Sequence, residues 1–89
     1  MAGDPLRLTL LTTPDCHLCE HARRVIARLG RDRSIVLEEL AWDSPVAQAR
    51  VRGDGIPFAP ALYIEDIFCA YGRISEGAVR RWLSRQEIA

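Results

Sequence analysis

Leu6-Arg7-Leu8-Thr9-Leu10-Leu11-Thr12-Thr13-Pro14-Asp15-Cys16-His17-Leu18-Cys19 reads as a short apolar strand, a turn, and a helix start that carries two thiols three residues apart. The strand rests on the apolar run Leu6 to Leu11, and Thr12-Thr13-Pro14-Asp15 supplies the turn. Beyond the cysteines, Leu18, Ala22, Val25 and Leu29 recur at i, i+4, i+7 and i+11, with Ile26 beside them. Glu20, Arg23, Arg24 and Arg28 fall opposite, so the segment is an amphipathic helix. Gly30 is placed to end it as a left-handed cap.

The thiol spacing carries chemistry. Residues i and i+3 share one helix face, and a small adjustment brings their Cβ atoms to disulfide distance. Unpaired N–H groups and the helix dipole favour an anion at the first turn, which favours a thiolate at Cys16. Cys16 is therefore expected to attack a disulfide, and Cys19, one turn deeper, to resolve the mixed disulfide that results. Spacing alone leaves two other readings open: a buried structural pair, or half of a zinc site. Structural zinc normally takes four convergent ligands from two close pairs, and one close pair is present. Zinc, copper or mercury binding, or a non-catalytic binding module, are the alternatives to redox exchange.

Eighty-nine residues allow one small domain, here 1–89, and the formal charge is zero. Neither nucleic acid nor an anionic membrane is favoured as a partner by such a balance. All twelve basic residues are arginine and are scattered through helices and loops, so they form no patch. Met1-Ala2-Gly3-Asp4-Pro5-Leu6-Arg7 lacks a charged-then-apolar leader. The longest apolar run, Ile56 to Ile64, is interrupted by Pro57 and Pro60 and is too short to span a bilayer. A cytoplasmic protein is expected, where a cysteine pair cycles more readily than it persists as a structural bridge.

Short apolar strands and helical patterns then alternate. Ile35, Val36, Leu37 and Leu40 predict a second strand ending near Trp42. Ser44 and Pro45 resemble an N-cap and first helical residue, opening a short helix over Val46 to Val51 that Gly53-Asp54-Gly55 stops. Ala61 to Ile64 and Phe68 to Tyr71 read as a hairpin through Glu65-Asp66. Ser75 opens the last helix, with Val79, Trp82, Leu83 and Gln86 on one face. The order is βαβαββα. Cys69 is expected to be a buried small apolar residue, Trp42 and Trp82 to be core-edge packing, and His21 to lie on the surface.

The chain resembles the glutaredoxin-like branch of the thioredoxin superfamily over nearly its whole length. Thr9 to Cys19 looks like that family's active-site strand, turn and helix start. Ala59-Pro60-Ala61-Leu62-Tyr63-Ile64 looks like its proline-led strand, and Tyr71-Gly72-Arg73-Ile74-Ser75 like the turn that follows. The resemblance implies an α/β thioredoxin-like (glutaredoxin-type) fold, a central four-stranded mixed sheet flanked by helices. It implies a thiol-disulfide oxidoreductase using Cys16 and Cys19. Pro60 is then the cis-proline facing the dithiol, with Pro57 the second candidate, and Ala59 supplies backbone to the substrate. From its own position between the cysteines, His17 is read as a solvent-facing residue beside the substrate with a small electrostatic role: protonated it would stabilise the Cys16 thiolate, but the positive helix end opposes that protonation.

Two departures bear on substrate. Glutathione-using glutaredoxins carry a basic residue three positions before the first cysteine and a Gly-Gly-x-x-Asp type turn; here Thr13 and Tyr71-Gly72-Arg73-Ile74-Ser75 stand there. Arg73, with Ser75 at a helix start, is a candidate to receive a carboxylate, against the plainer reading, which is favoured, of a solvated turn residue. No cofactor beyond the Cys16–Cys19 disulfide is expected, glutathione or another small thiol serving as electron donor. The expected partners are disulfide-bonded proteins or small-thiol disulfides and a reductase or low-molecular-weight thiol, acting on a monomer.

Overall fold

The computed structural model describes residues 5–88. The reading at Met1–Asp4 and the side chain of Gln86 lie outside what it describes. Strand β1 (Leu6–Thr12) is followed by helix α1 (His17–Leu29), β2 (Ile35–Ala41), α2 (Pro45–Asp54), β3 (Ala61–Ile64), β4 (Ile67–Tyr71) and α3 (Glu76–Ile88). The sheet runs in the order β2-β1-β3-β4, with β1 parallel to β2 and both β1–β3 and β3–β4 antiparallel. The βαβαββα order and the four-stranded mixed sheet match the expectation.

β1 reads as a nearly unbroken apolar run because helices cover both sheet faces. Leu8 and Leu10 join Leu62 and Ile64 against Ala22, Val25, Ile26 and Leu29 of α1 and Val79 and Leu83 of α3. Leu11 points the other way, with Ala61, Tyr63 and Ile56, onto Ala47 of α2. The period of two thus splits one hydrophobic strand between two small cores. Each fully buried leucine contributes about 1.5–3 kcal/mol. Trp42 and Trp82 pack at the margins of these cores, as expected.

Several boundaries differ from the sequence reading, each for an identifiable reason. Gly30 is right-handed, with φ −68°, because Arg31 and Asp32 donate to the carbonyls of Arg28 and Leu29 and close the helix with a tighter turn. Helix α2 continues through Gly53 to Asp54 and takes its left-handed cap at Gly55, with φ +65°. Asp54 is held there by the Tyr63 hydroxyl, which donates to its Oδ2 at 2.7 Å. Ser44 caps α2 as predicted, its Oγ accepting from the Ala47 N–H at 3.3 Å.

The Glu65-Asp66 hairpin turn has positive φ at both residues, 49° and 69°. Such a two-residue turn matches the strand twist but strains a non-glycine pair. Arg7 offsets this, its N–H donating to Glu65 Oε2 at 2.8 Å and its guanidinium to Asp66. In β4 the register shifts between Leu62 and Tyr63: Leu62 pairs with Ala70 but Tyr63 with Phe68, so Cys69 is the extra residue of a bulge. Cys69 is half-buried rather than fully buried as expected, and packs with Ala70 against the same core.

Candidate active site

Four segments meet at one end of the sheet. β1 and β2 finish there, at Thr12 and Ala41; β3 begins there, just after Pro60; β4 finishes there, at Tyr71. Crevices at the carboxyl ends of parallel strands are where open α/β sheets place their chemistry. The Trp42 N–H donates to the Thr12 carbonyl at 2.8 Å, and the Gly72 N–H to the Pro60 carbonyl at 2.8 Å. The first ties the segment after β2 to the start of the loop that leads into α1, and the second ties the turn after β4 to the start of β3.

That loop delivers the cysteines. Asp15 takes a left-handed conformation, with φ +52°, which aspartate tolerates better than most residues. Cys16 follows as the N-cap of α1, in extended conformation, and the Cys19 N–H donates to its Sγ at 3.0 Å. The two sulfurs are joined as a disulfide, with Cα atoms 5.2 Å apart. Cys16 is half-buried at the surface while Cys19 is fully buried. The core face of α1 is Cys19, Ala22, Val25, Ile26 and Leu29, so Cys19 takes the inward position that periodicity assigned to the half-exposed Leu18.

The Ala59–Pro60 peptide is cis, as the resemblance implied for Pro60 rather than Pro57. Pro60 is buried and Ala59 half-buried. Through the Leu11–Ala61 pairing they stand beside the strand end from which Cys16 emerges. His17 is the exposed first residue of α1, and Arg73 is exposed beyond the end of β4. All six residues singled out from sequence therefore sit at the same end of the sheet.

Two features here were not anticipated. Phe58 and Tyr71 form an edge-to-face pair, centroids 5.3 Å apart, and remain about half exposed beside Pro60. Gly72, with φ +72°, lies so near them that a Cβ would come 3.1 Å from Phe58 Cε1. On the other flank a cleft of about 360 Å³ opens between Thr12-Thr13-Pro14 and Ala41-Trp42-Asp43. A second cleft of about 280 Å³ shares the loop but is walled by Arg23 and Glu39, which pair at 2.9 Å. Glu39 holds the Arg23 guanidinium above its ordinary value, mainly through that hydrogen bond. The signal for the first cleft was Trp42 itself, an aromatic at a strand end next to a carboxylate.

Comparison with solved structures gives a TM-score of 0.64 to a thioredoxin from Halobacterium salinarum, at 15% identity over 92% of this chain and 74% of that one. The chain has the thioredoxin fold. A glutaredoxin from Francisella tularensis superposes with a TM-score of 0.54, at 9% identity over 94% of this chain and 99% of that one. A malarial protein gives 0.63, at 12% identity over 92% and 97%. Among curated proteins, a probable thioredoxin from Archaeoglobus fulgidus is 24% identical over 88% of this chain and 86% of its own length. No protein-family model matches the chain. A thioredoxin fold with a Cys-x-x-Cys pair at the start of α1 fits thiol-disulfide oxidoreductases in general.

Proposed function

We propose that the protein reduces disulfides of proteins or small thiols by dithiol exchange at Cys16 and Cys19. The observation that carries this is the asymmetry of the pair: a half-exposed sulfur at a helix N-cap, hydrogen-bonded to a backbone N–H, linked to a fully buried one. A helix end and an N–H donor both favour a sulfur anion at Cys16.

In the reduced protein the Cys16 thiolate attacks one sulfur of the substrate disulfide. That bond breaks, and the departing sulfur leaves with the electron pair and takes up a proton. Cys19 then loses its proton and attacks Cys16 Sγ, releasing the second substrate thiol and closing the Cys16–Cys19 disulfide. Two electrons have passed to the substrate, and an external dithiol or two monothiols restore the starting state. Ala59 and the cis Pro60 border the groove in which an extended substrate lies, and His17 and Arg73 flank it.

Among the described residues no group of three or more His, Cys, Asp or Glu side chains converges, so a structural zinc site lacks its usual ligand set. The test is a donor panel on the disulfide form: glutathione, uncharged small thiols, and a thioredoxin reductase with its reductant. Opening of the Cys16–Cys19 bond by at least one donor, followed by electron transfer to a disulfide substrate, is the expected result. A bond that no donor opens would leave a structural bridge on a binding module.

A further inference from the structure

The cleft between Thr12-Thr13-Pro14 and Ala41-Trp42-Asp43 touches the loop that delivers Cys16, yet exchange chemistry as described makes no use of it. Its walls combine three properties. Pro14 and Ala41 are apolar, Trp42 offers an aromatic surface while packing partly against the α2-side core, and Asp43 is an exposed carboxylate. The Trp42 N–H bond to the Thr12 carbonyl and the Gln48 amide bond to the Trp42 carbonyl, both 2.8 Å, hold that wall against the loop. Among the described residues no cation lines this cleft, and in the neighbouring one Arg23 is neutralised by Glu39. Asp15, one residue before Cys16, adds charge of the same sign as Asp43.

A group suited to such walls has a flexible apolar stem and a cationic head. The stem lies on the proline methylenes and the alanine methyl, the head pairs with a carboxylate, and a tryptophan face attracts it as well. We propose that this cleft is a subsite for a lysine or arginine side chain next to the half-cystine of a polypeptide substrate. The assignment rests on the exchange reading above and adds a charge preference to it. A carboxylate-rich partner such as glutathione would meet Asp43 where it needs a cation.

Two measurements test this. Pre-reduced protein is mixed at low ionic strength with disulfide dimers of Ac-X-Cys-amide in which X is arginine, serine or glutamate. The expected order of rates is arginine, serine, glutamate, with arginine over glutamate by about fivefold to tenfold and Asp43→Asn cutting that ratio about threefold, as an exposed ion pair allows. A ratio that Asp43→Asn leaves unchanged, or a preference for glutamate, overturns the proposal. If the serine peptide too is not reduced, the exchange reading fails, and a second experiment still reads the cleft. N-acetyl-arginine amide, which has no sulfur, is titrated while the Trp42 indole resonance is followed by NMR. A saturating shift that N-acetyl-glutamine amide does not produce, with a midpoint raised about threefold in Asp43→Asn, supports the subsite. Equal responses to the two amides refute it.

Discussion

The Cys19 N–H donates to Cys16 Sγ at 3.0 Å across the first turn of α1. When the disulfide opens, the same N–H is positioned to stabilise negative charge on Cys16, whereas Cys19 itself is wholly buried. Charge and access therefore favour the same sulfur.

The first expectation follows directly. Cys16→Ser should bring disulfide reduction to background, and Cys19→Ser should retain the first step but accumulate a mixed disulfide with substrate on Cys16. Mass spectrometry of the Cys19→Ser protein after exposure to a disulfide peptide reads the adduct. Equal loss in both variants with no trapped species would sink this order of events.

Cys69 should stay out of this chemistry. Burial pushes its thiol up from 9.0 to about 11, and its Sγ faces the Ile67 carbonyl at 3.4 Å. At pH 8 roughly one such thiol in a thousand is ionised, so iodoacetamide should label it on the order of a hundredfold more slowly than an unstructured cysteine. Peptide mapping of the disulfide form, with a guanidinium-unfolded control, measures this. Rapid labelling of folded Cys69 would contradict the placement.

Much of this was legible in the sequence because the signals were local. The apolar run into Cys16-His17-Leu18-Cys19 and the Ser44-Pro45 helix start depend on residues within a turn or two of each other, and both hold in the structure. Two of the misreadings trace to contacts from outside the segment itself. The Tyr63 hydroxyl, nine residues away, holds Asp54 and lets α2 run past Gly53. A β4 bulge set by pairing with β3 makes Cys69 an extra residue, half-buried where full burial was expected. Leu18 and Cys19 are adjacent on the helix, and periodicity alone could not say that the cysteine is the more buried. Trp42 beside Asp43 marked one wall of the cleft at Thr13, but not the cleft itself, whose walls come from two strand ends that only the parallel β1–β2 pairing brings together.

Glu76 gives a pH-dependent prediction. It sits at the start of α3 and accepts from Arg28 of α1 at 2.9 Å and from Arg80 at 2.9 Å. The Arg28 hydrogen bond first, and the Arg80 bond next, hold its carboxyl below the usual range. A carboxyl depressed in the folded state stabilises it fully above the unfolded value of about 4.3, and that contribution fades as pH falls through the lower folded value. Glu76→Gln should therefore lower the thermal midpoint at pH 7 and leave progressively less difference from the parent below pH 4. A difference that persists undiminished into strong acid would show that the ion pairs are not its source.

Gly72 and Gly53 provide a matched pair. Gly72 has φ +72°, its N–H holds the Pro60 carbonyl, and an added Cβ would press on Phe58 at 3.1 Å. Gly53 is helical, and nothing lies within 4 Å of a Cβ built there. Gly72→Ala should destabilise by about 1–2 kcal/mol, since the left-handed region penalises any Cβ, while Gly53→Ala should stabilise by about 0.5–1 kcal/mol. Because the Gly72 turn is bonded to Pro60, the first substitution should also slow exchange with peptide disulfides by more than its effect on the folded fraction explains. Urea titration of both variants, with exchange rates taken where each is fully folded, separates the two effects. A Gly72→Ala protein as stable and as fast as the parent would mean that this turn neither needs glycine nor shapes the groove at Pro60.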